Sequence, residues 1–258
     1  MEKVVKKQLL YKTGVEYGDY ALNHVLGCAH GCRYPCYAFL MNKRFRNITY
    51  EDWVKPKLVE NTIELLELEL PKLKGKAKYI NMCFATDPLM YNQPEVIKLS
   101  CDVIALINSF GIPVKVLTKG VYTLDVAKVS SHPDNSFGIT LVSLSEEFRK
   151  RFEPNAAPIN ERLKSLFAMH KCGFKTWVSI EPYPTPDIIE QDIDELLRSI
   201  SFVDRIVFGR WNYGKLSYPE QEKFYREMAS KVLEFGERKG IEIVIKKEVG
   251  FALEDRKN

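Results

Sequence analysis

Hydrophobic positions along the chain alternate between two rhythms. Short, β-branched apolar runs of strand length are followed by longer stretches whose apolar residues return at the spacing of one helix face. The first run covers 21–27, and a helix is expected over about 50–73, with Leu58, Ile63, Leu65, Leu66 and Leu70 on its apolar face. Further strands are expected at 79–84, 114–119, 137–144, 175–183, 204–211 and 241–246. The intervening helices fall at about 94–110, 123–129, 160–171, 188–199 and 219–239. The stretch 94–110 opens on Pro94 and Glu95, a favourable first turn, while Gly111, Gly173 and Gly240 mark helix ends.

Repeated strand–helix units imply a parallel sheet with helices packed outside it. Six such units predict an α/β fold of the partial (β/α)6 TIM-barrel type, with 241–246 as one further C-terminal strand. The expected organisation is a single domain over 1–258 with its core at about 20–247. Barrels of this kind carry their chemistry at the C-terminal ends of the strands. The polar residues of interest fall there: Cys28 after the first strand, Thr86 and Asp87 after the second, Thr118 and Lys119 at the third. Ser143 and Ser145 follow the fourth, Glu181 ends the fifth, and Arg210, Trp211 and Asn212 follow the sixth. All are expected to converge on one rim.

Composition narrows the setting. Of 258 residues, 45% are hydrophobic and 28% charged, which permits a packed core without disulfides. No apolar run approaches the ~18 residues of a membrane span, and no signal-peptide pattern follows the N-terminal lysines. The expected compartment is the cytoplasm, where clustered cysteines serve metals or chemistry more than bridges. A net charge of +4 permits an anionic partner without demanding one.

Three of the six cysteines lie within LGCAHGCRYPCYAF: Cys28, Cys32 and Cys36, spaced C-x3-C-x3-C. Gly31 and Pro35 between them disfavour a helix, so the segment reads as a loop that turns three sulfurs toward one centre. A zinc or redox loop would need a fourth ligand, for which His24 and His30 are available. An iron–sulfur cluster normally takes four cysteines, and with three it leaves one iron free to bind a further molecule.

GCAHGCRYPCYA resembles the cluster loop of radical S-adenosylmethionine enzymes, in the branch typified by spore photoproduct lyase. The likeness extends to YALNHVLGC before it, ATDP at 85–88, VLTKG at 116–120 and FEPNAAPINERL at 152–163, in the same order. One departure is the third residue between Cys32 and Cys36, with Pro35 expected to bulge the loop. The resemblance implies a [4Fe-4S] cluster held by Cys28, Cys32 and Cys36, with S-adenosylmethionine on the open iron. Reductive cleavage would give methionine and a 5′-deoxyadenosyl radical that takes hydrogen from substrate. Residues implied at the cofactor are Tyr37, Thr86, Asp87, Thr118, Lys119, Ser143, Glu153, Arg162 and Glu181. Lys119 would pair with the methionyl carboxylate and Tyr37 would stack on the base or pack in the core. Glu153 would pair with Arg162 as scaffold or reach the cofactor, and Glu181 would take ribose hydroxyls or substrate. The branch uses a further cysteine near the second strand end as hydrogen-atom donor. Cys83 is its counterpart or a small core residue, while Cys101 and Cys172 read as packing residues.

Arg210, Trp211 and Asn212 make a polar–aromatic cluster suited to substrate, with Tyr213 and Gly214 lending the loop adaptability. The resemblance favours nucleic-acid lesion repair. No DNA-binding extension is evident, which favours a nucleoside, small metabolite or peptide equally. Lys43, Arg44 and Arg46 suit phosphate or a solvated face. A reductant such as flavodoxin or ferredoxin is the implied partner. The alternative from a different class is a non-catalytic zinc or iron–sulfur redox-sensing barrel.

Overall fold

The structure is a computed structural model, which describes residues 1–14, 19–34, 36–212 and 220–250. Strands Glu2–Val4 (β1), Leu10–Lys12 (β2), Tyr20–Leu22 (β3) and Val25–Leu26 (β4) precede the cysteine loop. Helices Tyr37–Arg46 (α1) and Tyr50–Trp53 (α2), strand Lys57–Val59 (β5) and helix Thr62–Glu69 (α3) follow it. The repeating part then runs Ile80–Met82 (β6), Pro94–Ser109 (α4), Val114–Thr118 (β7), Leu124–Val129 (α5), Ser136–Thr140 (β8), Glu146–Phe152 (α6), Ile159–Lys171 (α7) and Lys175–Tyr183 (β9). Ile193–Ser199 (α8), Arg205–Arg210 (β10), Gln221–Lys239 (α9), Glu242–Ile245 (β11) and Lys247–Gly250 (α10) complete it.

The large sheet has the order β11-β10-β9-β8-β7-β6-β3-β2. Every pairing from β3 to β11 is parallel, and β2 joins β3 antiparallel. This is the partial-barrel topology expected, with β11 as the extra C-terminal strand. Strands covered on both faces need apolar residues at successive positions, and all five residues of β8 are buried. Outside the sheet, α4 turns Val96, Val103, Ile104 and Ile107 inward at helical spacing.

Several expectations change. The stretch 50–73 is not one helix. Pro56 interrupts it, and Leu58, placed on a helix face by its spacing, lies in β5. That strand pairs with β1 and β4 in a separate three-stranded sheet. The run 21–27 is divided, since β3 belongs to the large sheet and β4 to the small one. The helix expected from 188 begins at Ile193, where the Asp192 carboxylate caps the Asp194 N–H at 2.8 Å. Strand β8 stops at Thr140, short of the expected 144. Helix α6 was not foreseen. Its cap is local, with the Phe148 N–H donating to Ser145 Oγ at 3.1 Å. The helix expected from 219 is described from Gln221, residue 219 lying outside the described residues. Cys101 is buried on α4 as a packing residue, whereas Cys172 is exposed at the end of α7. No described helix is long and apolar enough to cross a membrane.

Candidate active site

The cysteine loop is held from several sides. Gly27 sits at φ 78°, and a Cβ there would stand 2.6 Å from the Trp53 carbonyl. That same carbonyl accepts the Cys28 N–H at 2.8 Å, so the close approach that requires glycine also fixes the first thiol. The Tyr50 hydroxyl donates to the Gly31 carbonyl at 2.8 Å, and the Asn155 amide to the Ala29 carbonyl at 3.0 Å. The Arg33 N–H donates to the Phe152 carbonyl at 2.8 Å. Cys36 then becomes the N-cap of α1. Pro35, expected to bulge this loop, lies outside the described residues, as do Tyr213 and Gly214.

All three thiols line one cavity of about 350 Å³. Its wall is built from strand ends: Asn81 through Phe84 from β6 and its continuation, Leu117 and Lys119 from β7, and Thr140 from β8. Trp177, Ser179 and Glu181 come from β9, Arg210 and Asn212 from β10, and Lys246 and Glu248 from beyond β11. Of the residues singled out by sequence, Cys28, Cys32, Cys36, Tyr37, Cys83, Thr86, Asp87, Lys119, Glu181, Arg210 and Asn212 all face this cavity.

Tyr37 is not a core aromatic. It is 38% exposed and meets the Phe84 ring edge-on at 5.4 Å. Burial alone would lower the Lys119 ammonium, but the Cys32 sulfur and the Glu153 carboxylate more than offset it and hold the lysine charged. Lys119 Nζ also stands 5.5 Å from the Tyr34 ring centre. Burial pushes the Cys28 thiol well up and the Cys32 thiol to about 12, with Lys119 opposing the shift at Cys32.

The remaining expected residues do not face the cavity, and each has an internal partner. Thr118 Oγ1 donates to Asp87 Oδ1 at 2.7 Å. Ser143 is buried and accepts the Ser145 N–H at 3.1 Å, because β8 has already ended three residues earlier. Glu153 and Arg162 form a buried ion pair at 2.7 Å. Glu153 also accepts the Tyr34 hydroxyl at 2.9 Å, so this pair is the scaffold behind the thiol loop. Trp211 packs into the core against Tyr34 and Phe152, with ring centres 5.5 and 5.8 Å away.

Thr86 and Asp87 reach the cavity but bind protein. The Thr86 hydroxyl donates to the Gly27 carbonyl. Asp87 accepts the Leu89 N–H at 2.9 Å and the Lys119 N–H at 2.8 Å, which fixes the backbone of Lys119. Burial would raise the Asp87 carboxyl, and His30, the Lys119 N–H and the Thr118 hydroxyl lower it more.

His30, available by sequence as a fourth metal ligand, is bound within the protein. Its Nε2 accepts the Tyr91 N–H at 2.9 Å and its Nδ1 lies 3.3 Å from Asp87 Oδ2, so both ring nitrogens are used within the protein. Among the described residues, no three His, Cys, Asp or Glu groups converge on the position of a single metal ion. The three thiols line one cavity wall together.

Trp177, Lys246 and the glycines at 138 and 209 carry no sequence signal of their own. Glu181 lies across β10 at Gly209, where a Cβ would come within 2.7 Å of the carboxylate carbon. The β9–β10 register shifts between Phe208 and Arg210, which re-aims Arg210. Lys246 Nζ stands 3.7 Å from Glu181 Oε2. Gly138 leaves room for the Trp177 ring, 2.3 Å from where a Cβ would stand.

Residues 22–200 match the family described as the Radical SAM superfamily. An uncharacterised protein of Acidianus two-tailed virus, ORF301, is 27% identical over 199 residues, covering 72% of this chain and 64% of the viral protein. The match therefore spans less than two thirds of that relative. Spore photoproduct lyase complexed with dinucleoside spore photoproduct has a similar structure, with a TM-score of 0.71 and 13% identity, covering 94% of this chain and 80% of that one. Streptococcus suis SuiB bound to S-adenosylmethionine gives a TM-score of 0.55 and 11% identity, over 75% of this chain and 44% of that chain.

Proposed function

The chain belongs to the radical SAM superfamily, whose cofactors are a [4Fe-4S] cluster and S-adenosylmethionine, and from that premise we propose that it is a radical enzyme acting on a nucleobase-bearing substrate. The observation that carries this reading is the single cavity in which Cys28, Cys32 and Cys36 meet Lys119 at the strand ends, while His30 is committed elsewhere. The residues present fit the cofactors: three thiols around a volume, a charged lysine, and carboxylate and hydroxyl groups along β8 and β9. When bound, the pair supplies reductive cleavage to methionine and a radical that removes hydrogen from substrate.

In this reading the three cysteines hold the cluster. Lys119, its backbone fixed by Asp87 and its charge by its neighbours, receives the methionyl carboxylate. Tyr37 lies against the adenine, and Glu181, aligned by Lys246 and the gap at Gly209, accepts hydroxyls. Met82, Leu117 and Trp177 keep water from the reacting carbon. Cys83 presents its thiol at the same wall. Phe84 offers an aromatic face, with Arg210 and Asn212 as hydrogen-bond donors. These, with the likeness to a lyase of dinucleoside spore photoproduct, support a nucleic-acid lesion or nucleoside as substrate. The electron source is a flavodoxin or ferredoxin.

The test is anaerobic reconstitution with iron and sulfide, then dithionite and S-adenosylmethionine, with chromatography for 5′-deoxyadenosine. Its formation supports the reading. A protein that takes zinc, forms no cluster and leaves S-adenosylmethionine intact refutes it. Lys119→Met is expected to weaken S-adenosylmethionine binding roughly ten- to hundredfold, the worth of a hydrogen bond to a charged group. Calorimetric titration of the reconstituted protein checks this, with iron content unchanged.

A further inference from the structure

A chain of hydrogen bonds leads from the cavity wall into the core. Ser100 Oγ donates its one hydrogen to the Pro88 carbonyl, so it can only accept from His24 Nε2, 2.7 Å away. His24 therefore carries its hydrogen on Nε2. Its Nδ1 lone pair faces Cys83 Sγ at 3.3 Å, which makes the thiol the donor. His24 and Ser100 are fully buried. Cys83 lines the cavity at φ 57°, a left-handed conformation that a non-glycine residue adopts only when its surroundings impose it. We propose that His24, its tautomer fixed by Ser100, is a positioning residue that holds Cys83 as a neutral, hydrogen-bonded thiol in the cavity wall.

Electrostatics points the same way. Burial lowers His24 to about 3, with Lys6 adding to the effect. Burial raises the Cys83 thiol, with Asp87 adding, while the His24 backbone N–H, Lys6 and the Val25 backbone N–H oppose without cancelling the rise. Tyr11 is the further titratable group coupled to Cys83. The neutral pair is the form that burial favours.

This inference rests on S-adenosylmethionine being the ligand of the cavity. Its sulfonium methyl group is an electrophile. A Cys83 thiolate beside it would form a new S–CH₃ bond as the methyl–sulfonium bond breaks, releasing S-adenosylhomocysteine and a methylated, inactive wall. A thiolate would also compete for cluster iron. A neutral thiol does neither and keeps its hydrogen available to a carbon radical.

The experiment uses reconstituted holoprotein without reductant, incubated over a pH series with S-adenosylmethionine or, in parallel, iodoacetamide. Peptide mass spectrometry reads Cys83 against the exposed Cys172. In wild type, the exposed Cys172 is expected to be alkylated and Cys83 to stay unmodified by both reagents. Ser100→Ala frees Nε2 and lets the hydrogen move to Nδ1, which then donates to sulfur. Alkylation of Cys83 should rise roughly tenfold, one pKa unit, with methyl-Cys83 appearing. Ser100→Thr keeps the hydroxyl and should restore inertness. A folded Ser100→Ala protein whose Cys83 stays as inert as wild type overturns the proposal, as does wild-type Cys83 reacting as fast as Cys172. The iodoacetamide arm needs no S-adenosylmethionine, so it tests the His24 contact separately from the radical reading, which stands or falls on 5′-deoxyadenosine.

Discussion

Cys32→Ala is expected to reduce 5′-deoxyadenosine formation to background and to leave reconstituted protein with little iron. The physical reason is the position of this thiol. Cys32 lies between the other two on a loop tied at Trp53, Tyr50 and Phe152, so the loop cannot shift another of its thiols into that place. Cys83 points to His24, and Cys101 and Cys172 lie on α4 and at the end of α7. Loss of an outer partner of a metal ligand costs roughly 10–100-fold, and loss of the ligand itself exceeds that. The measurements are iron and sulfide content, visible absorbance, and chromatography after dithionite and S-adenosylmethionine. Cys172→Ala, at an exposed site, is the control and should retain both iron and product. Full product from Cys32→Ala would remove the three-thiol site from the proposal.

The thiol motif and the strand-end rule made much of this site legible before any coordinates. Lys119, Glu181 and Arg210 were found because each ends a strand, and strand ends of a parallel barrel share one rim. What periodicity could not show is which strand-end groups spend their bonds inside the protein. Asp87 and Thr118 look equivalent to Lys119 in sequence, yet Asp87 accepts from both Thr118 and the Lys119 backbone, so the first two support the third. Ser143 missed the cavity because β8 ended early. Lys246 and the space at Gly209 are invisible in the sequence because their meaning lies in contacts with Glu181, made from the neighbouring strand and the one beyond it. The helix expected over 50–73 fails for a similar cause, since Leu58 satisfies a helical spacing while pairing with β1 and β4.

The ion pair behind the loop should govern stability. Arg162 lies within the protein and donates from Nε to the Ala157 carbonyl at 2.8 Å and from Nη1 to the Thr140 carbonyl at 3.1 Å, besides its 2.7 Å contact with Glu153. Arg162→Met is therefore expected to cost about 3–5 kcal/mol, because it leaves a buried carboxylate without its cation. The double variant Arg162→Met, Glu153→Gln should recover part of that loss, since no carboxylate is left in the core without Arg162. Chemical denaturation reads both, and equal stability of wild type and Arg162→Met would show that Lys119 alone suffices for Glu153. The pH dependence has a definite sign. Burial would raise the Glu153 carboxyl, and Arg162 followed by Lys119 lowers it more, so it lies below an ordinary glutamate. Its contribution is fully present above the unfolded value of about 4.3 and is lost as pH falls through the lower folded value. Glu153→Gln should flatten that part of the acid limb. Because Tyr34 bonds to Glu153 and sits between Cys32 and Cys36 in the chain, the same acid loss should loosen the thiol loop before the sheet unfolds, with colour falling ahead of far-ultraviolet ellipticity.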